Sequence, residues 1–189
     1  MLTNEVVETI MVKRRSYKVF TPKPVSDEIL ETILECGKIA PTGMNRQPWH
    51  FTVIKTPEAM ESFGLDLLEA AAAATPAPPT TQTDSAERTR FAPIMIIVSA
   101  DSNEMCAHID APLAMQNMLL AAASFGLGTG WDFFVNRDFF EGSNGATNKT
   151  KYGIPEGYTA YCACYFGYHD DSQPYRDRGP RREGTVTIF

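Results

Sequence analysis

Residues 107–131 read AHIDAPLAMQNMLLAAASFGLGTGW, and this stretch separates two kinds of mixed architecture. Ala107 to Phe125 is nearly uncharged and rich in Ala, Leu and Met. Such a composition predicts a helix buried on most of its sides. Asp110, Gln116 and Asn117 interrupt it, which argues against a membrane span. The glycines that follow, Gly126, Gly128 and Gly130, come after a helix. A dinucleotide-binding Gly-x-Gly-x-x-Gly turn comes after a strand, so the context is wrong for a Rossmann site.

Working outward, Ile94-Met95-Ile96-Ile97-Val98 is a continuous apolar run of strand length, suited to a central strand. Trp49 to Lys55 predicts a strand before it, and the aromatic run Tyr158 to Tyr168 another after it. Leu2, Val6 and Ile10 recur every four residues behind Asn4, which predicts a short opening helix. Ser26 caps a second helix, with Asp27 and Glu28 in its first turn and Ile29, Leu30, Ile33 and Leu34 as its buried stripe. Ala40-Pro41 ends it. Thr56-Pro57 starts a third. Residues 75–90 lack an apolar period and read as a mobile excursion, within a variable stretch 64–90. The tail, 169–189, is polar and basic. Helices and strands thus mix without regular alternation, which predicts an α+β fold.

With 189 residues, the chain is expected to form a single domain, 1–189. Its 17 basic and 23 acidic residues give a net charge of −6, which argues against a nucleic-acid partner. No basic segment and apolar run open the chain, and no uninterrupted apolar stretch reaches about 18 residues. Neither a secretory signal nor a membrane partner is therefore expected. Cys36, Cys106, Cys162 and Cys164 match no zinc spacing. Cys162 and Cys164 share one face of a strand, where a disulfide would be strained. All four read as reduced, mostly buried thiols, and the expected compartment is the cytoplasm.

Two segments carry chemistry. Arg14-Arg15-Ser16-Tyr17-Lys18-Val19-Phe20 gathers two guanidiniums, a hydroxyl and an ammonium within five residues. That set suits a phosphate monoester: Arg grips oxygens in pairs, Lys adds a point charge, and Ser donates one neutral bond. Extended backbone would put Ser16 and Lys18 on one side. The bland alternative is a solvated charge run after a helix. The second segment is the loop Ala40-Pro41-Thr42-Gly43-Met44-Asn45-Arg46-Gln47-Pro48, which leads into Trp49-His50-Phe51. Asn45 and Gln47 both give and accept hydrogen bonds, which suits the polar edge of a heterocycle. An ordinary helix-to-strand turn explains Trp49 as a core anchor but leaves those amides unexplained. His50, His108 and His169 receive no role, and no catalytic side chain is assigned.

In this order, the two segments resemble the start of the nitroreductase family. Phe91-Ala92-Pro93 before a strand, Gly126-Leu127-Gly128-Thr129-Gly130-Trp131 after a long helix, and Gly153-Ile154-Pro155-Glu156-Gly157-Tyr158 before the last strand continue the resemblance. It covers nearly the whole chain. It implies a central, mainly antiparallel sheet flanked by helices in an intertwined homodimer with shared FMN sites. Arg14, Arg15, Ser16 and Lys18 would hold the FMN phosphate, ribityl chain and ring edge. Pro41, Thr42, Gly43 and Asn45 would reach the same flavin from the other subunit, with Gln47 in that loop. The segment Thr129 to Phe133, with Gly130 and Trp131 in it, would lie along the ring and supply a backbone donor near N5, and Arg181 and Arg182 would complete the phosphate pocket. The implied activity is NAD(P)H-dependent, ping-pong reduction of nitroaromatic, quinone or other small electron-poor acceptors, the chemistry being the flavin's. Lys18 or Arg15 would stabilise the reduced ring. The alternatives are reductive dehalogenation or other flavin chemistry on the same fold, a non-catalytic flavin-binding redox sensor, or a dimer without cofactor. One departure stands out: the family often has Gly or Glu-Gly where this chain has Trp131-Asp132-Phe133-Phe134. Its two phenylalanines are expected to narrow the space over the flavin.

Overall fold

The computed structural model describes residues 7–12, 14–73, 92–172 and 179–189. A π-helical turn, Val7–Val12, precedes α1 (Asp27–Lys38), β1 (Trp49–Ile54) and α2 (Pro57–Ala73). Then come β2 (Ile94–Asp101), α3 (Ala107–Ser124), β3 (Gly128–Trp131), a second π-helical turn (Val135–Phe140), α4 (Gly145–Lys151) and β4 (Tyr158–Gly167). The expected opening helix falls largely on residues 1–6, outside the described residues. So does the excursion expected over 75–90. The first part of the variable stretch, 64–73, is the second half of α2, where Gly64 and Leu67 are buried.

Local signals explain the starts of α1 and α2. Ser26 Oγ accepts from the Ile29 N–H at the start of α1, and Thr56 Oγ1 accepts from the Ala59 N–H at the start of α2. These satisfy donors that a helix N-terminus leaves open. Leu30 and Ile33 are buried on α1, with Ile29 and Leu34 packed beside them.

The strands form one antiparallel sheet in the order β1-β2-β4-β3. Period-2 alternation divides β2 between two cores. Ile94, Ile96, Val98 and Ala100 join Cys162, Cys164 and Phe166 of β4 under α1 and α3. Met95 and Ile97 join Ala163 and Tyr165 under Phe63, Leu67, Phe139 and Phe140 on the other face. Cover on both faces explains the unbroken apolar run of β2, and the sheet is antiparallel, as the family resemblance implies. All four cysteines are free: Cys162 and Cys164 are buried, whereas Cys36 and Cys106 are half-buried. Among the described residues, no helix is long and apolar enough to cross a membrane.

Candidate functional site

The basic segment lies on the β3 edge of the sheet. Ser16 pairs in parallel with Thr129, and the Tyr17 N–H donates to the Thr129 carbonyl at 2.8 Å. The chain then crosses to the extension of β4, where Phe20 pairs with His169 and the Thr21 N–H donates to Tyr168 O at 2.7 Å. Residues 14–21 therefore act as an arm clipped along two strands. Ser16 and Lys18 are exposed and Tyr17 between them is half-buried, the alternation expected of extended backbone. Arg14 and Arg15 are half-buried.

This contact explains the glycines that follow α3 without forming a nucleotide-binding turn. A Cβ on Gly130 would stand 2.5 Å from Tyr17 O, and one on Gly128 would stand 2.9 Å from the Tyr17 ring. Glycine is required there because the arm comes so close. The Tyr17 ring stacks on His169 with centroids 4.0 Å apart, and His169 Nε2 lies 2.7 Å from Asp171 Oδ1. His169, given no role from sequence, packs the arm.

The arm also carries an unmet donor. Arg15 Nη1 donates to Val12 O at 2.5 Å and to Arg14 O at 3.3 Å. Its Nε is buried without a hydrogen-bond partner. A buried donor left open is costly, and an anionic oxygen is the group that would satisfy it best.

Beyond β3, the buried Asp132 accepts from the N–H groups of Phe134 and Val135 at 3.1 and 3.3 Å and starts the second π-helical turn. This sends Phe134 into the core, where it is 6% exposed. The expectation that both phenylalanines narrow one space is corrected accordingly. Phe133 is exposed beneath the Arg137 guanidinium, and Trp131 is partly exposed.

The loop is unusually constrained. Met44, Asn45 and Gln47 all have left-handed φ, of 53°, 55° and 50°. Each such non-glycine residue costs roughly 1 kcal/mol or more, and such strain gathers at functional sites. Gln47 Nε2 donates to Asn45 Oδ1 at 3.1 Å, and the Gln47 N–H donates to Thr42 Oγ1 at 3.2 Å. The Gly43 N–H faces both carboxylate oxygens of Asp110, at 3.2 and 3.3 Å. From sequence, Asp110 is only an interruption in an apolar helix. Its sole clue is a carboxylate in the first turn of a helix otherwise built for burial.

Within one chain, the arm and the loop stand apart. The loop leads into β1 and the arm lies against β3, at opposite edges of the sheet. Three strand spacings separate those edges, about 14 Å. The register also puts Trp49 about six residues along the sheet from Thr129, roughly 20 Å more. The helix gives a second ruler. Gly43 is tied to Asp110 near the start of α3, whereas β3 follows its end. The rise from Asp110 to Ser124 is about 21 Å. The structure thus brings residues 14–18 together with Thr129, Gly130 and Trp131, while Pro41 to Gln47 occupy the far corner. Arg181 and Arg182 are exposed in the tail.

A four-stranded antiparallel sheet between helical layers, with a cationic arm clipped to one edge and a strained amide loop at the opposite corner, defines a compact class of α+β proteins. The family model described as the nitroreductase family matches residues 11–168. The chain belongs to that family. It is similar to an FMN-bound nitroreductase structure from Bacteroides fragilis NCTC 9343, at 28% identity over 99% of this chain and 100% of that one, with a TM-score of 0.84. An FMN-bound nitroreductase from Desulfitobacterium hafniense DCB-2 matches at 27% identity over 99% and 100%, with a TM-score of 0.81. By sequence, a protein of Archaeoglobus fulgidus provisionally named NADH dehydrogenase/NAD(P)H nitroreductase is 28% identical over 89% of this chain and 88% of its own length.

Proposed function

We propose that the protein is an FMN-dependent oxidoreductase that uses NAD(P)H to reduce nitroaromatic, quinone or related small electron-poor acceptors by a ping-pong route. The docked arm carries this reading. Two arginines and a lysine are held on a sheet edge, and one buried guanidinium N–H lacks a partner. A terminal phosphate fits that donor set better than an uncharged ligand does. The FMN in the nitroreductases from B. fragilis and D. hafniense supports the same cofactor.

In this reading Arg14, Arg15, Ser16 and Lys18 hold the phosphate, ribityl chain and ring edge, with Arg181 and Arg182 closing the phosphate pocket. Thr129, Gly130 and Trp131 line the ring, and Trp131 and Phe133 shape the acceptor's approach. Pro41, Thr42, Gly43, Asn45 and Gln47 of the partner subunit complete the site, because one chain keeps its own loop on the far corner. Ile109 and Leu113, one turn apart and exposed on α3, suit a face covered by that second copy. When bound, FMN supplies the hydride chemistry between nicotinamide and acceptor. The chain supplies charge near the ring from Lys18 or Arg15, and no side-chain nucleophile is needed. Residues 1–189 act as one domain, and the four free thiols suit the reducing cytoplasm.

Acid release from purified protein followed by chromatography identifies the flavin. NAD(P)H oxidation with a quinone or a nitroarene then separates an enzyme from a flavin-binding sensor. FAD in place of FMN, or no flavin after reconstitution with excess FMN, would overturn the reading.

A further inference from the structure

We propose that Asp110 is the positioning residue of the loop: from the first turn of α3 it fixes Gly43, and through it the strained run Met44–Gln47, in the shape that receives the flavin ring. The inference rests on the FMN reading above and adds to it a residue outside the cofactor-contacting set.

Asp110 is 3% exposed, on a helix whose neighbouring buried positions are Ala107, Ala111 and Ala114. A carboxylate in such a place is costly unless hydrogen bonds compensate it. Both of its oxygens face the Gly43 N–H, 67 residues away in sequence. Gly43 in turn sits against α3 so closely that a Cβ would stand 2.7 Å from Cys106 Sγ. Position 43 is therefore fixed by a bond on one side and by contact on another. The next four residues include three with left-handed φ. Strain of this kind persists only where the surroundings over-determine it. Two of the loop's bonds, Thr42 to Gln47 and Gln47 to Asn45, join exposed or half-exposed residues of the loop itself. The Asp110 bond ties the loop to the core. The helix dipole favours a negative charge in this first turn.

Loss of that anchor lets the loop relax, so its receptive form becomes a smaller fraction of the population and apparent affinity falls by that fraction. The loop meets the ring and the arm meets the phosphate. Asp110 therefore affects FMN and riboflavin alike, whereas Arg14 distinguishes them.

The test uses the full-length protein stripped of flavin and titrated separately with FMN and riboflavin by fluorescence quenching. Asp110→Ala is expected to weaken both by about tenfold to a hundredfold, equally within twofold. Asp110→Asn keeps an acceptor oxygen and loses the charge, so it is expected to weaken both by only about threefold to fivefold. Amide exchange across residues 43–47 should quicken in both variants. If the alanine variant does not fold, the asparagine variant carries the test by the same two readouts. Affinities within twofold of wild type in a folded alanine variant, or in the asparagine variant where that one decides, overturn the proposal, as does a loss confined to FMN. Wild-type protein that binds neither flavin brings down the FMN reading and this proposal with it, an outcome distinct from variants that bind normally.

Discussion

The backbone N–H of Tyr17 donates to the carbonyl of Thr129 at 2.8 Å, although the two stand 112 positions apart in the chain. This bond and the Ser16–Thr129 pairing beside it fasten the cationic arm to β3. Gly130 allows the approach, since a Cβ there would lie 2.5 Å from the Tyr17 carbonyl oxygen.

Gly130→Ala should therefore lift the arm. The obstructed atom is backbone and cannot swing aside as a side chain would. Overpacking of this kind costs about 1–3 kcal/mol, so the melting temperature should fall by about 3–10 °C. FMN affinity should fall at least about tenfold, because the arm's charges move with its backbone. Calorimetry and flavin titration check both, and an unchanged melting temperature with unchanged affinity would contradict the docked geometry.

Arg14→Ala removes a charged hydrogen-bond donor, and bonds to charged groups are worth about 1.5–3 kcal/mol. FMN affinity should fall by roughly one to two powers of ten. Riboflavin, which lacks the phosphate, should bind almost unchanged. Equal losses for both ligands would show that Arg14 acts through folding.

The separation of arm and loop predicts complementation. Arg14→Ala/Lys18→Ala damages the arm, and Gly43→Trp obstructs the loop. In a heterodimer of the two, one site collects both defects and the other none. Random pairing on co-expression gives about half heterodimers, so about a quarter of all sites should be intact. NAD(P)H oxidation should therefore return when two inactive proteins exchange subunits. A mixture as inactive as its parents, with heterodimers confirmed by mass, would rule out sites shared between chains.

The paired thiols predict a pH effect. Burial pushes Cys162 up from 9.0 to about 12, and burial pushes Cys164 well above its ordinary value too. The folded chain therefore keeps these protons where the unfolded chain loses them. Stability is unaffected below about pH 9 and falls as pH rises towards 12, by up to about 1.4 kcal/mol per pH unit for each thiol. Urea unfolding at pH 8, 9 and 10 should show a shallower decline for Cys162→Ala/Cys164→Ala than for wild type. At pH 8 a thiol reagent should label Cys36 and Cys106 in the native protein and reach Cys162 and Cys164 only after denaturation.

By itself, the sequence determined the elements and the chemistry of the segments. Ser26 and Thr56 start helices because a side-chain oxygen a few residues from an open N–H is a local fact. The run Ile94–Val98 marks a strand covered on both faces, and the order of five motifs marks the family. The charge of residues 14–18 and the amides of Asn45 and Gln47 were legible in the same way. Only the tertiary structure decided what those segments touch. Apolar spacing assigns a residue to a face, but register and strand order decide which distant residue lies opposite. That is why Gly128 and Gly130 looked like a misplaced nucleotide turn until Tyr17 lay against them, and why Phe134 turned into the core behind the cap of Asp132. It is also why Asp110 read as a blemish in an apolar helix. Its partner is a backbone N–H 67 residues away, and no side-chain pattern records a backbone donor.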